Sequence, residues 1–229
     1  MSVICEVYPI VEVDPDRRVC DSGGGAQSLY PVIEILGEKL CFGIEINKEH
    51  AKLSDIVPLT RSVSSKIVEV IHKRIEQEGH HIPCKKGCSA CCNYLIPLSI
   101  PEVFRLKEEV GCLPAKDRRV IICSMIKSAR RILNNKRFGT NLRDLSQTDI
   151  QITANRISRW YAGIELTCPF LFKDICSWYS RRPLACREHI VQDSARLCIG
   201  CWSDTQKIVQ MPVSALEALG ELAAELEQT

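Results

Sequence analysis

The stretch Cys84-Lys-Lys-Gly-Cys88-Ser-Ala-Cys91-Cys92 sets four thiols within nine residues, and Cys168, Cys176, Cys186, Cys198 and Cys201 follow later in the chain. Thiolates are soft, strongly donating ligands for iron-sulfur clusters and zinc. Gaps of two or three residues let a turning backbone aim neighbouring sulfurs at one centre. The spacing therefore predicts a metal centre whose candidate ligands are Cys84, Cys88, Cys91, Cys92, Cys168, Cys176, Cys186, Cys198 and Cys201. A disulfide framework is the competing reading, used by small oxidised domains whose apolar core is thin. It fits poorly here, because a chain of 229 residues with 45% hydrophobic content can bury a sizeable core without staples. Adjacent Cys91 and Cys92 would also crowd two separate bridges.

Around the first group, Gly87, Ser89 and Ala90 are small enough for close backbone approach and leave amide N–H groups to bond sulfur. Lys85 and Lys86 either offset thiolate charge or form a solvated loop. The second group mixes sulfur with apolar bulk: Cys168-Pro-Phe-Leu-Phe-Lys-Asp-Ile-Cys176-Ser-Trp-Tyr-Ser-Arg-Arg-Pro-Leu-Ala-Cys186-Arg-Glu-His189. Phe170, Leu171, Phe172, Trp178 and Tyr179 are expected to exclude water from a centre, or simply to be core. Of the guanidiniums Arg181, Arg182 and Arg187, the last, beside Cys186, is the candidate for cofactor binding. His189, His80 and His81 are possible nitrogen ligands, with a structural role the commoner fate of a lone histidine. The outlying Cys5, Cys20, Cys41, Cys112 and Cys123 read as small buried apolar side chains.

Further outward, the pattern predicts an α+β fold: a small β-rich N-terminal part over residues 1–60, a mainly α-helical cysteine-rich metal-binding domain over 61–206, and a C-terminal amphipathic helix over 207–229. Tyr30–Leu36 and Leu40–Ile46 read as a hairpin about Gly37, and Ser22-Gly-Gly-Gly as a flexible turn. Helical spacing predicts helices from Ser62 to Glu78, stopped by Gly79, from Pro101 to Val110 behind a Ser99 cap, and from Lys116 to Asn134. In the last of these Ile122, Met125, Ile126, Ala129, Ile132 and Leu133 form the apolar stripe. Two more helices are expected around Ile150–Ile164 and Pro212–Glu227, the latter packing over the domain or forming a dimer seam.

Thirty basic against 28 acidic residues leave a formal charge of +2, so no global field draws in nucleic acid or an anionic membrane. No apolar run approaches the ~20 residues that cross a bilayer, and no basic-then-apolar secretory leader opens the sequence. A soluble cytoplasmic protein is expected, since thiols stay reduced there. A protein or redox partner fits better than a nucleic acid or a membrane.

The succession Cys88-Ser-Ala-Cys91-Cys92, Cys168-Pro-Phe-Leu, Cys176 with Trp178-Tyr179, Arg182-Pro183 and Cys186-Arg187 resembles the YkgJ-type cysteine-cluster family, described as zinc- or iron-chelating. The likeness covers Cys84 to Cys201 and says nothing of the N-terminal part. It implies Cys88, Cys91, Cys92, Cys168, Cys176 and Cys186 as motif cysteines, with Cys84 one residue farther from Cys88 than the pattern has it. That family includes the cysteine-rich region of flagellin lysine-N-methylases and members labelled iron-sulfur oxidoreductases. No glycine-rich strand-to-helix motif for S-adenosylmethionine accompanies it here. Cys84, Cys88 and Cys91 also match the Cys-x3-Cys-x2-Cys spacing of radical enzymes, but those carry it in a large α/β barrel for which this chain is short. The resulting expectation is an iron-sulfur cluster, four-iron by preference, serving electron transfer or modification of a partner. The alternative is a non-enzymatic zinc module that stabilises a protein-binding surface.

Overall fold

The computed structural model describes residues 26–29, 31–47, 52–135, 150–198 and 208–227. The predicted Ser22–Gly25 turn, Cys5, Cys20 and Cys201 lie outside these residues. The N-terminal part is one antiparallel hairpin: β1 (Ala26–Leu29) pairs with β4 (Ile44–Asn47), and β2 (Val32–Ile35) with β3 (Glu38–Cys41). A single register runs from Ala26↔Asn47 to Ile35↔Glu38. It is interrupted near Pro31, which has no N–H for the ladder and only accepts, from Phe42 N–H at 3.0 Å. At the tip Leu36 (φ 52°) and Gly37 (φ 85°) both take positive φ, the conformation a two-residue hairpin turn requires.

Helix α1 (Val57–Gln77) starts five residues earlier than the Ser62 expected from the apolar spacing. A 3-10 turn at Leu53–Ile56 feeds directly into it, and Pro58 sits in its first turn, where a missing N–H costs nothing. The helix ends as expected, with Gly79 at φ 81° donating its N–H to Glu76 O. The boundary drawn between residues 60 and 61 falls inside this helix. Ile67, Val70, Ile71 and Ile75 pack with Ile35 of β2 and with Ile190, so hairpin and helix share a core.

Helix α2 (Ile100–Gly111) opens on Ser99 and Glu102, whose carboxylate accepts from Ser99 N–H at 3.2 Å and Ser99 Oγ at 3.0 Å. Glu102 also accepts from Leu184 N–H at 2.8 Å, which is why an acid can sit 1% exposed. After Pro114 the chain turns back into α3 (Ala115–Asn134). Here the buried position is Ile121, while Ile122, Ile126 and Leu133 of the expected stripe face outward. Helix α4 (Ile150–Ala162) leads to the two-residue strands β5 (Leu171–Phe172) and β6 (Ile175–Cys176), then to α5 (Leu184–Glu188) and, at the C-terminal end, α6 (Ala215–Glu227).

Val57, Leu184, Ala215 and Leu219 join α1, α5 and α6 in a second core. Glu188 ties the same three helices, accepting from Ser64 Oγ at 3.0 Å, Ser214 Oγ at 2.7 Å and Ala215 N–H at 3.0 Å. A third core of Val110, Ile121, Phe170 and Trp178 sets α2 and α3 over the second cysteine group. The architecture is α+β, a small antiparallel hairpin on a mainly helical body. Among the described residues no helix is long and apolar enough to cross a membrane.

Candidate metal centre

The first cysteine group forms consecutive turns. Cys88 N–H bonds Lys85 O, Cys92 N–H bonds Ser89 O and Tyr94 N–H bonds Cys91 O. Gly87 permits the first of these by taking φ 98°, a region costly to a side chain. The second group meets this loop directly, because Cys168 N–H donates to Cys92 O at 2.8 Å. Two further bonds join residues distant in sequence: Tyr94 Oη to Cys198 O at 2.6 Å and Asp193 N–H to His81 O at 2.8 Å.

The thiols themselves lie close enough to alter one another's ionisation, with Cys91 as the common neighbour. Cys91 interacts electrostatically with Cys84, Cys92, Cys168, Cys186 and Cys198. Cys176 joins through Cys92, Cys168 and Cys186, and Cys88 through Cys84 and Cys198. Eight of the nine candidate ligands thus form one connected set, and the ninth, Cys201, lies outside the described residues.

Protonation differs within the set for physical reasons. The Cys92 thiol donates to Cys91, which holds the Cys91 thiol down at about 7 against the opposing effect of burial. Cys92 is pushed up correspondingly. Burial pushes Cys186 and Cys198 up to about 12, with neighbouring thiols acting in the same direction. Burial also raises Cys84 and Cys168, where backbone N–H groups work against it: that of Val191 on Cys84, and those of Phe170 and Leu171 on Cys168.

Arg182 is the cation that Cys84, Cys91 and Cys186 share. Its guanidinium lies 3.8 Å over the Tyr179 ring and its Nε donates to Tyr179 O at 3.2 Å. Arg187 also neighbours Cys186, and three of its five N–H donors bond protein: Nε on Arg182 O at 2.9 Å, Nη1 on Ser65 Oγ at 2.8 Å and Nη2 on Ser180 O. Arg187 thereby fixes the loop that presents Arg182. The Arg182-Pro183 step before Cys186 was the signal for this cation in the sequence.

Of the histidines, His80 Nδ1 stands 3.1 Å from Asp193 Oδ1, and His189 packs edge-on against Tyr94 at 5.9 Å. Burial lowers the His189 pKa. Of the outlying cysteines, Cys112 and Cys123 are exposed and Cys41 is half-buried, in contrast to the buried setting expected for them.

The donor chemistry suits a thiophilic centre: eight thiols, amide N–H groups on sulfur and one guanidinium. Trp178 adds an observation of its own. It belongs to the core against which Cys168 and Cys176 pack, and among the described residues its buried Nε1 has no hydrogen-bond partner, a donor that an inorganic sulfide or a turned thiolate would satisfy. Among the described residues, however, no three Cys, His, Asp or Glu side chains are placed to hold a single metal ion as they stand. No protein-family model, curated protein or solved structure matches the chain.

Proposed function

We propose that this is a cysteine-cluster protein of the YkgJ type that holds an iron-sulfur centre, of the four-iron kind, for electron transfer or for modification of a partner protein in the reducing cytoplasm. The observation that carries the reading is the meeting of the two cysteine groups across the Cys168 N–H to Cys92 O bond, with the thiols arrayed about Cys91. One zinc ion needs its sulfurs about 2.3 Å from a common point. A cluster spreads its iron atoms and so accepts sulfurs aimed in different directions, which suits the adjacent Cys91 and Cys92.

Cys84, Cys88, Cys91, Cys92, Cys168, Cys176, Cys186 and Cys198 are the ligand pool, and the Cys198-Ile-Gly-Cys201 spacing adds Cys201. A bound cluster would supply one-electron chemistry. Phe170 and Trp178, 4.8 Å apart and buried, keep water from its α2–α3 side, and Arg182 offsets the negative charge of the thiolates. No catalytic residue is assigned.

The test is elemental analysis with electron paramagnetic resonance on protein purified without oxygen. Brown protein containing iron and sulfide, with a paramagnetic signal on reduction, is the expected result. Colourless protein that releases stoichiometric zinc to a chelator would replace this reading with the zinc module, and protein with neither metal would remove both.

A further inference from the structure

Arg182 is held by its neighbours everywhere except at the tip of its guanidinium. Its backbone carbonyl accepts from Arg187 Nε at 2.9 Å, its own Nε donates to Tyr179 O at 3.2 Å, and its guanidinium lies 3.8 Å over the Tyr179 ring. Arg187 is in turn tied to α1, where Ser65 Oγ accepts from its Nη1 at 2.8 Å and donates to Arg61 O at 2.9 Å. The planar fork of Arg182 is therefore positioned before any ligand arrives, which lowers the ordering cost of binding.

With Nε and one face occupied, what remains is the end edge, where Nη1 and Nη2 each direct an N–H outward in the guanidinium plane. Among the described residues these donors meet no acceptor, thiol sulfur included. Unlike the buried, unpartnered Nε of Arg61, both nitrogens stay open to solvent. Charge points the same way. Among the described residues Arg61, Arg74 and Arg105 pair with carboxylates, whereas Arg181, Arg182 and Arg187 do not. Cys84, Cys91 and Cys186 lie near enough to Arg182 to feel its charge, so whatever the open edge binds lies beside the cysteine site.

From this geometry we infer that the Nη edge of Arg182 is an oxyanion subsite, which takes the carboxylate or phosphate group of a small ligand and sets that ligand beside the thiols. Two N–H donors side by side in one plane match two oxygens of either group, a fit that a point charge does not offer. Arg182 and the three thiols are half-buried, a setting that admits a small molecule more readily than a polymer, and the net charge of +2 draws in no nucleic acid. The binding requires no loaded centre; that the ligand is the substrate of such a centre rests on the function proposed above.

The test is alkylation of the full, metal-free chain by iodoacetate and by its neutral counterpart iodoacetamide, read by peptide mass mapping at Cys84, Cys91 and Cys186. Both reagents lose iodide to the same thiolate, so the ratio of their rates cancels any change in thiol ionisation and reports the draw on the carboxylate. At the most reactive of the three thiols, the iodoacetate-to-iodoacetamide ratio is expected to exceed that of 2-mercaptoethanol about ten-fold, with an iodoacetate rate that saturates. Arg182→Gln should return the ratio to that of 2-mercaptoethanol. Arg182→Lys, which keeps the charge and loses the fork, should lose most of the preference, and Arg181→Gln should keep it. Inorganic phosphate and acetate serve as competitors, and the one that protects at the lower concentration names the group the subsite takes. A ratio no higher than that of 2-mercaptoethanol, protection by neither anion beyond that of chloride at equal ionic strength, or full preference in Arg182→Lys would overturn the proposal. No metal enters the assay, so its outcome is independent of the elemental analysis that tests the iron-sulfur reading.

Discussion

Cys91 is the group whose chemistry departs most usefully from habit. Its pKa is lowered to about 7, so its thiolate fraction grows as pH rises through neutrality instead of well above it. Metal-free protein treated with iodoacetamide is expected to be labelled first at Cys91, at a rate that levels off above pH 7 to 8. A rate still climbing steeply at pH 9, read by peptide mass mapping, would contradict the Cys92-to-Cys91 hydrogen bond. The two arginines separate by the same assay. Arg182→Ala removes a cation that helps lower Cys91, so its labelling profile should move to higher pH. Arg187→Ala breaks three hydrogen bonds that hold the 180–187 loop. It should cost about 2–3 kcal/mol in a thermal or denaturant melt.

Among the secondary-structure elements, β5 and β6 are joined by a turn in which Lys173 (φ 49°) and Asp174 (φ 61°) both adopt the left-handed conformation. Side chains tolerate this poorly, and asparagine followed by glycine is the natural pair for it. Lys173→Asn with Asp174→Gly is expected to stabilise the chain by about 1 kcal/mol, and a lower melting temperature would argue against the turn. Arg61 and Glu109 form a buried pair at 2.7 Å that Arg105 Nε supports at 3.0 Å. Arg61→Ala leaves Glu109 with less compensation and should cost about 3–5 kcal/mol in urea unfolding. Arg61→Met with Glu109→Leu, which removes both charges, should cost far less. Helix positions were legible from apolar spacing because period and caps are local properties. The inward edge of α3 was not, since Ile121 and Ile122 are both apolar and only the packing of Phe170 and Trp178 chooses between them.

Taken as one body, the protein builds its first two cores from buried apolar side chains. Ile67, Val70 and Ile71 pack against Ile35 and Ile190, and Leu219 against Val57, at positions 0–3% exposed. Cys91→Ser or Cys186→Ser is therefore expected to abolish metal loading and loosen residues 84–98 and 166–198. Hydrogen exchange should show α1 still protected, and unchanged metal content with an unchanged melt would refute the shared centre. Metal uptake should also release protons, because Cys186 and Cys198 sit at about 12 and stay protonated at neutral pH until a metal displaces the proton. Affinity then falls as pH falls, and calorimetry in buffers of different ionisation enthalpy would count the protons released.

The sequence alone settled the α+β character, the hairpin about Gly37, most helix spans and the identity of the thiols, because periodicity, turn chemistry and residue type are written along the chain. It favoured Arg187 over Arg182, whereas Arg182 is the cation beside Cys84, Cys91 and Cys186, and it gave no hint that Glu102 and Glu188 each join segments far apart in sequence. Nor did it assign the outer face of α3. Folding decided these, since which guanidinium meets a thiol, which carboxylate finds an orphan N–H and which apolar stripe stays wet all depend on contacts between residues up to 124 positions apart. Local spacing carries no information about such partners until the cores have closed.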